Sequence, residues 1–193
     1  MRHSAVKRIA VLGLISAIVV ILQLAGSFIK FGPFSVTLVL LPIVVGASLY
    51  GIGAGAWLGF VFGMTVLLSG DAGAFLAVNV IGTVITVLLK GILAGAVSGL
   101  LFCIVERKRR IAAAYVAAAS CPIVNTGVFL MLCPVFFLDT IAQWAQAGGA
   151  SAGVGVYMIT VLVGVNFLFE LAANLLLAPI LLRIIEAVGS EKI

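Results

Sequence analysis

Charge is scarce in this chain. Of 193 residues only 9% are Asp, Glu, Lys or Arg: eleven bases and six acids, with one histidine, His3. That scarcity removes most enzyme chemistries. Acid–base catalysis by paired carboxylates needs two acids in one place, yet Glu170 is the lone carboxylate inside an apolar segment. His3 lies in the N-terminal tail and reads as a solvated residue. No HExxH, CxxC or P-loop pattern occurs, so no catalytic residue, metal or other cofactor is expected. Cysteine is sparse as well. Cys103, Cys121 and Cys133 fall in hydrophobic segments without paired spacing, which excludes a disulfide framework and leaves small apolar packing residues.

Apolar residues fill the space that charge leaves. They make up 64% of the chain, glycine contributes 22 residues, and the mean hydropathy is +1.39. A soluble domain of this size needs far more polar cover, so an integral membrane protein is expected. The length accommodates about six spans of ~20 residues and leaves no room for a separate catalytic domain. Nine of the eleven bases (Arg2, Lys7, Arg8, Arg107, Lys108, Arg109, Arg110, Arg183 and Lys192) fall at segment ends assignable to one side. That positive-inside distribution, and not a stripe matched to nucleic-acid phosphates, accounts for the net charge of +5. The expected fold is all-α: a six-transmembrane-helix bundle, one domain over residues 1–193, with both termini cytoplasmic.

The first segment, about Arg8 to Ile29, starts like a secretory signal. Its apolar run is too long for one and lacks a small-residue cleavage site, so it is read as a retained span. Segment two, about Phe34 to Tyr50, contains Pro42, which is predicted to kink or interrupt the helix. Around segment three, about Ala54 to Ser69, Gly51, Gly55, Gly59 and Gly63 recur every fourth residue and form a groove for a neighbouring backbone. The run from Ala74 to Val105 is over-long, and reads either as a short leading helix followed by a span or as one tilted helix. Glu106–Arg110 is the strongest topological marker. Segment five, about Ile111 to Leu138, carries Pro122 and Pro134; Asp139 to Gly155 is expected to be a mobile external loop, and Val156 to Ile185 the last span.

The polar exceptions carry the functional reading. Asn166, Glu170 and Asn174 lie four residues apart in the last segment, and four residues turn an α-helix by about 400°, so they form one drifting stripe. A carboxylate near mid-bilayer costs roughly 2.5–3.5 kcal/mol. The stripe is therefore either one wall of a ligand pocket or a hydrogen-bonding seam between helices. Asn79, Thr83, Thr86 and Lys90 share a second helical face. Counted at ~1.5 Å per residue from the nearest cytoplasmic charge, Gln23, Lys90, Asn125 and Glu170 all lie roughly 20–24 Å deep, in one slab. Lys90 and Glu170 either neutralise each other or also position a ligand, with Lys90 taking a carboxylate or phosphate. Phe75, Phe129, Phe136, Phe167 and Phe169 either face lipid or pack the core, or are near enough to stack on an aromatic ligand. Gly13 and Ala17 form a G-x-x-x-A notch that accepts another helix, from this chain or from a partner; Gly91, Gly95 and Gly99 raise the same question. No inverted repeat between the two halves is evident.

In order along the chain, the Gly13-x-x-x-Ala17 notch, Phe31-Gly32-Pro33-Phe34-Ser35-Val36-Thr37-Leu38, Leu41-Pro42-Ile43-Val44-Val45-Gly46-Ala47, Leu89-Lys90-Gly91 and Asn166-x-x-x-Glu170-x-x-x-Asn174 resemble the substrate-binding membrane subunit (S component) of energy-coupling-factor vitamin transporters. The family's first-helix motif is usually Ala-x-x-x-Ala, and Gly13 departs from it toward a smaller residue. The resemblance implies a subunit without catalytic activity in a prokaryotic plasma membrane. Such a subunit binds a water-soluble vitamin from outside, riboflavin-, pantothenate- or folate-like. It docks on a transmembrane coupling protein driven by two cytoplasmic ATPases and tips over to deliver its ligand. It further implies a gating role for the loop containing Lys30, Phe31 and Phe34, docking through Gly13 and Ala17, and a pocket lined by the later helices. The pocket residues expected here are Asn79, Thr86, Lys90, Asn125, Asn166, Glu170 and Asn174. The alternative is a stand-alone secondary transporter that uses Glu170 as its proton carrier.

Overall fold

A computed structural model describes residues 2–28, 30–31, 34–35, 38–148 and 153–189. The chain runs α1 (Arg2–Gly26), a two-stranded antiparallel ribbon of β1 (Lys30–Phe31) and β2 (Phe34–Ser35), α2 (Leu40–Tyr50), α3 (Ile52–Ser69), α4 (Gly73–Leu76), α5 (Val80–Glu106), α6 (Arg110–Ala147), and α7 (Val154–Tyr157). A π-helical stretch, Met158–Gly164, then joins α7 to α8 (Val165–Gly189). Five helical stretches are long and apolar enough to cross a membrane: Val6–Gly26, Ile52–Ser69, Val80–Glu106, Arg110–Ala147 and Val154–Ile185. With α2, which is shorter, they form a helical bundle.

Two long-range contacts fix the direction of the first helices. Arg8, near the start of α1, donates to the Tyr50 carbonyl at the end of α2 (3.1 Å). Gln23, near the end of α1, donates to Asp71 just beyond α3 (2.6 Å). Helix α2 therefore runs back alongside α1, and α3 runs out again. Gly51, with φ of 85°, makes the reversal between α2 and α3 in a backbone region that side chains disfavour.

Small residues set the closest packing. Gly55 meets Gly95, and Gly59 meets Gly91, so closely that a Cβ on any of them would collide with the facing carbonyl. The groove expected on α3 is thus filled by the matching glycines of α5, and Gly91, Gly95 and Gly99 serve packing within the chain. Helix α5 is the centre of the bundle, flanked by α3 and α6.

Several expectations change here. Pro42 does not interrupt a helix: α2 starts only at Leu40, and Pro42 occupies its first turn, where no backbone N–H has a helical acceptor. Segment two is correspondingly shorter than expected. The over-long run resolves into α4 and α5, with Asn79 capping α5 between them. Asp139–Ala147 is helical, not loop, because α6 continues for 38 residues, about 57 Å, well past a ~30 Å hydrocarbon core. Pro122 and Pro134 are carried inside that helix.

Two apolar cores result. The larger joins Leu40, Ile43, Leu58, Phe62, Phe102 and their neighbours; the smaller joins Phe75, Phe129, Cys133, Phe137, Ile141 and Leu162.

Candidate functional site

A cavity of about 70 Å³ opens where the two cores meet. Phe62, Val66 and Val87 belong to the first core, and Phe75, Phe129 and Phe137 to the second. Polar residues from four long helices enter between them: Gln23 from α1, Thr83, Thr86 and Lys90 from α5, Asn125 from α6, and Asn166 and Glu170 from α8. Asp71, between α3 and α4, completes the lining. The slab of polar depth counted along the sequence is, in space, the wall of one cavity.

The α5 wall starts at its cap. Asn79 Oδ1 accepts the Gly82 N–H (2.9 Å), and the Thr83 hydroxyl donates to the Asn79 carbonyl (2.7 Å). A turn later Thr86 faces the cavity with a buried hydroxyl that has no partner among the described residues. One more turn brings Lys90, whose Nζ lies 5.7 Å from the centre of the Phe62 ring and 5.6 Å from that of Phe129. Two aromatic faces thus cradle the ammonium. The Lys90 side chain and that of Glu170 border the same space.

The α8 wall is organised by Glu170, only 3% exposed. Asn166 Nδ2 donates to its Oε1 (3.3 Å), and Asn174 Nδ2 donates to its backbone carbonyl (2.8 Å). The preceding π-helical stretch widens the helix just before Asn166, a form that recurs at functional sites. The aromatic end is held by Phe75, which meets Phe129, Phe137 and Trp144 edge to face at 5.8, 5.0 and 5.4 Å.

Of the expected site residues, Thr86, Lys90, Asn125, Asn166 and Glu170 come together. Two do not reach the cavity. The Asn79 side chain caps α5. Asn174 lies one turn beyond Glu170, buried, with its NH₂ donating to the backbone. Among the aromatic candidates Phe75 and Phe129 line the space, whereas Phe169 is half exposed and Phe136 packs on Gly82. Lys30, Phe31 and Phe34 sit in the ribbon, where Lys30 pairs with Ser35 and Phe31 with Phe34; their side chains lie outside the described residues. Gly13 and Ala17 are exposed on α1, and a Cβ on Gly13 would meet no atom within 4 Å.

Asp71 lines the cavity without being among the expected site residues. Its partner Gln23 is 48 residues away, and neither segment shows a local pattern that joins them. Gln23, only 1% exposed, shares the slab of depth counted from the sequence and lines the cavity too.

Polar side chains from four apolar helices thus border one cavity among the described residues. Comparison with family models makes the class specific. The chain belongs to the family described as ECF transporter, substrate-specific component, whose model matches residues 7–182. No curated protein and no solved structure gives a match. The chain is accordingly a multi-pass membrane protein of a transport family whose members supply substrate binding and work with a transmembrane coupling subunit and ATPases.

Proposed function

We propose that this chain is the substrate-capturing subunit of an energy-coupling-factor importer in a prokaryotic plasma membrane. It takes up a vitamin-like small molecule from outside and delivers it with a coupling subunit and two ATPases. The observation that carries this reading is the convergence of Gln23, Thr86, Lys90, Asn125, Asn166 and Glu170 on one cavity. Each costs free energy in an apolar bundle, and a ligand that hydrogen-bonds to them offsets that cost. Helix α2 serves as a sixth crossing in this reading, and both termini lie on the cytoplasmic side. The exposed bases of 107–110 support that orientation. The ribbon of Lys30–Phe31 and Phe34–Ser35 acts as the gate. At about 70 Å³ the cavity holds only a few waters, so a vitamin requires that gate to move.

Mass spectrometry of the small molecule retained through purification tests the reading. The wild-type protein is expected to retain a stoichiometric organic molecule, and Asn125→Leu to lose it while eluting as the same monodisperse species. Retention unaffected by Asn125→Leu would place the ligand elsewhere.

A second reading follows from the burial of Glu170: a proton-coupled transporter that works alone. Uptake into proteoliposomes driven by a pH gradient, with no partner present, would decide for it.

A further inference from the structure

The cavity's hydrogen-bonding groups have a direction. An ionised carboxylate accepts hydrogen bonds and donates none. Gln23 gives its NH₂ to Asp71 (2.6 Å), and Asn166 gives its NH₂ to Glu170 (3.3 Å). Each carboxylate thereby fixes which end of its amide is left over, which removes the usual ambiguity between amide oxygen and nitrogen. The ends left over are Gln23 Oε1 and Asn166 Oδ1. Both are buried with no hydrogen-bond partner among the described residues, as are Asn125 Oδ1 and the Thr86 hydroxyl. An orphaned buried acceptor costs about 1–3 kcal/mol, and a ligand N–H is what relieves it.

Lys90, the cation among the described lining residues, is itself partly satisfied by the two phenyl faces over which it lies. An anion offers no donor to either fixed oxygen.

We infer that the part of the ligand seated here is a flat, nitrogen-rich group presenting at least two N–H donors to Gln23 Oε1 and Asn166 Oδ1, and not a carboxylate or phosphate. The Phe62, Phe75, Phe129 and Phe137 rings favour a planar group between them. Lys90 and Thr86 remain to donate to a ring nitrogen or carbonyl on the same group. This reverses the preference that Lys90 suggests when considered alone. The inference rests on the cavity being the binding site, as proposed above.

Three probes of one shape separate the alternatives: benzamidine (cationic, donors), benzamide (neutral, donor and acceptor) and benzoate (anionic, acceptor only). Each is titrated into the full-length protein in detergent and followed by the shift of the thermal unfolding midpoint. Benzamidine and benzamide are expected to bind at least tenfold tighter than benzoate. Gln23→Met and Asn166→Leu, two independent variants each checked by elution profile, are each expected to weaken benzamidine about tenfold and to leave benzoate unchanged. If benzoate binds as tightly as the donors and Lys90→Met abolishes its binding, the donor class is wrong and the cavity stands. If the probes bind but ignore all three variants, the cavity assignment falls too. No shift with any probe likewise overturns the inference.

Discussion

At the scale of single residues, the bundle retains polar groups that an apolar helix would be more stable without. Lys90 and Glu170 show what they do. Glu170 orders α8 through Asn166 and Asn174, while Lys90 stands between two phenyl faces. The closest contacts of α3 with α5, Gly55 with Gly95 and Gly59 with Gly91, are made by backbone and not by either side chain. Lys90→Met and Glu170→Gln keep side-chain size and remove charge. Both are expected to elute as wild type and to lower affinity for the retained small molecule at least tenfold, read by equilibrium binding. Normal affinity in both variants would remove the pair from the site. Most of the cavity's polar lining was legible in sequence because a polar residue in an apolar helix is costly enough to stand out. Asn79 and Asn174 carried the same signal for another reason: the Asn79 oxygen caps a helix, and the Asn174 NH₂ donates to a backbone carbonyl. Asp71 was illegible because a pairing across 48 residues leaves no periodic trace.

At the scale of elements, small residues at spacing four mean two different things in this chain. Gly59 on α3 touches the backbone of Gly91 on α5, so any side chain there forces two helices apart. Gly13 on α1 has the same kind of spacing to Ala17, yet faces no atom within 4 Å. Gly59→Leu is therefore expected to lose the monodisperse elution peak, since overpacking a close backbone contact costs typically 1–3 kcal/mol and here meets main chain that cannot yield. Gly13→Leu is expected to elute unchanged. Sequence showed both motifs but not which faced a neighbour, because that depends on how helices are rotated about their axes. Helix ends were the weaker part of the reading for a related reason. Pro42 is disruptive only in a helix interior, and whether it stands there depends on where α2 begins. In α6, which packs on α5 and α8, Pro122 and Pro134 do not end the helix, which runs on to Ala147.

At the scale of the whole molecule, the exposed notch on α1 has to be set against the purpose of the bundle. In the importer proposed above, transport driven by separate ATPases would require this chain to touch a coupling subunit within the membrane. Two lipid-facing helices gain little from hydrophobicity, because lipid tails are as apolar as leucine; close backbone approach at small residues is what favours association. Gly13 and Ala17 offer such an approach on the surface, whereas the glycines of α3 and α5 are already used inside. A bulky residue at Ala17 is thus expected to leave the free subunit folded and still able to bind its ligand, and to block assembly. Ala17→Trp, co-expressed with a coupling protein and its ATPases, is expected to reduce co-purification of the complex at least tenfold while keeping the retained small molecule. Met131→Trp, on an equally exposed face of α6, is expected to assemble normally. Equal recovery of the complex from both variants would move the docking surface off α1.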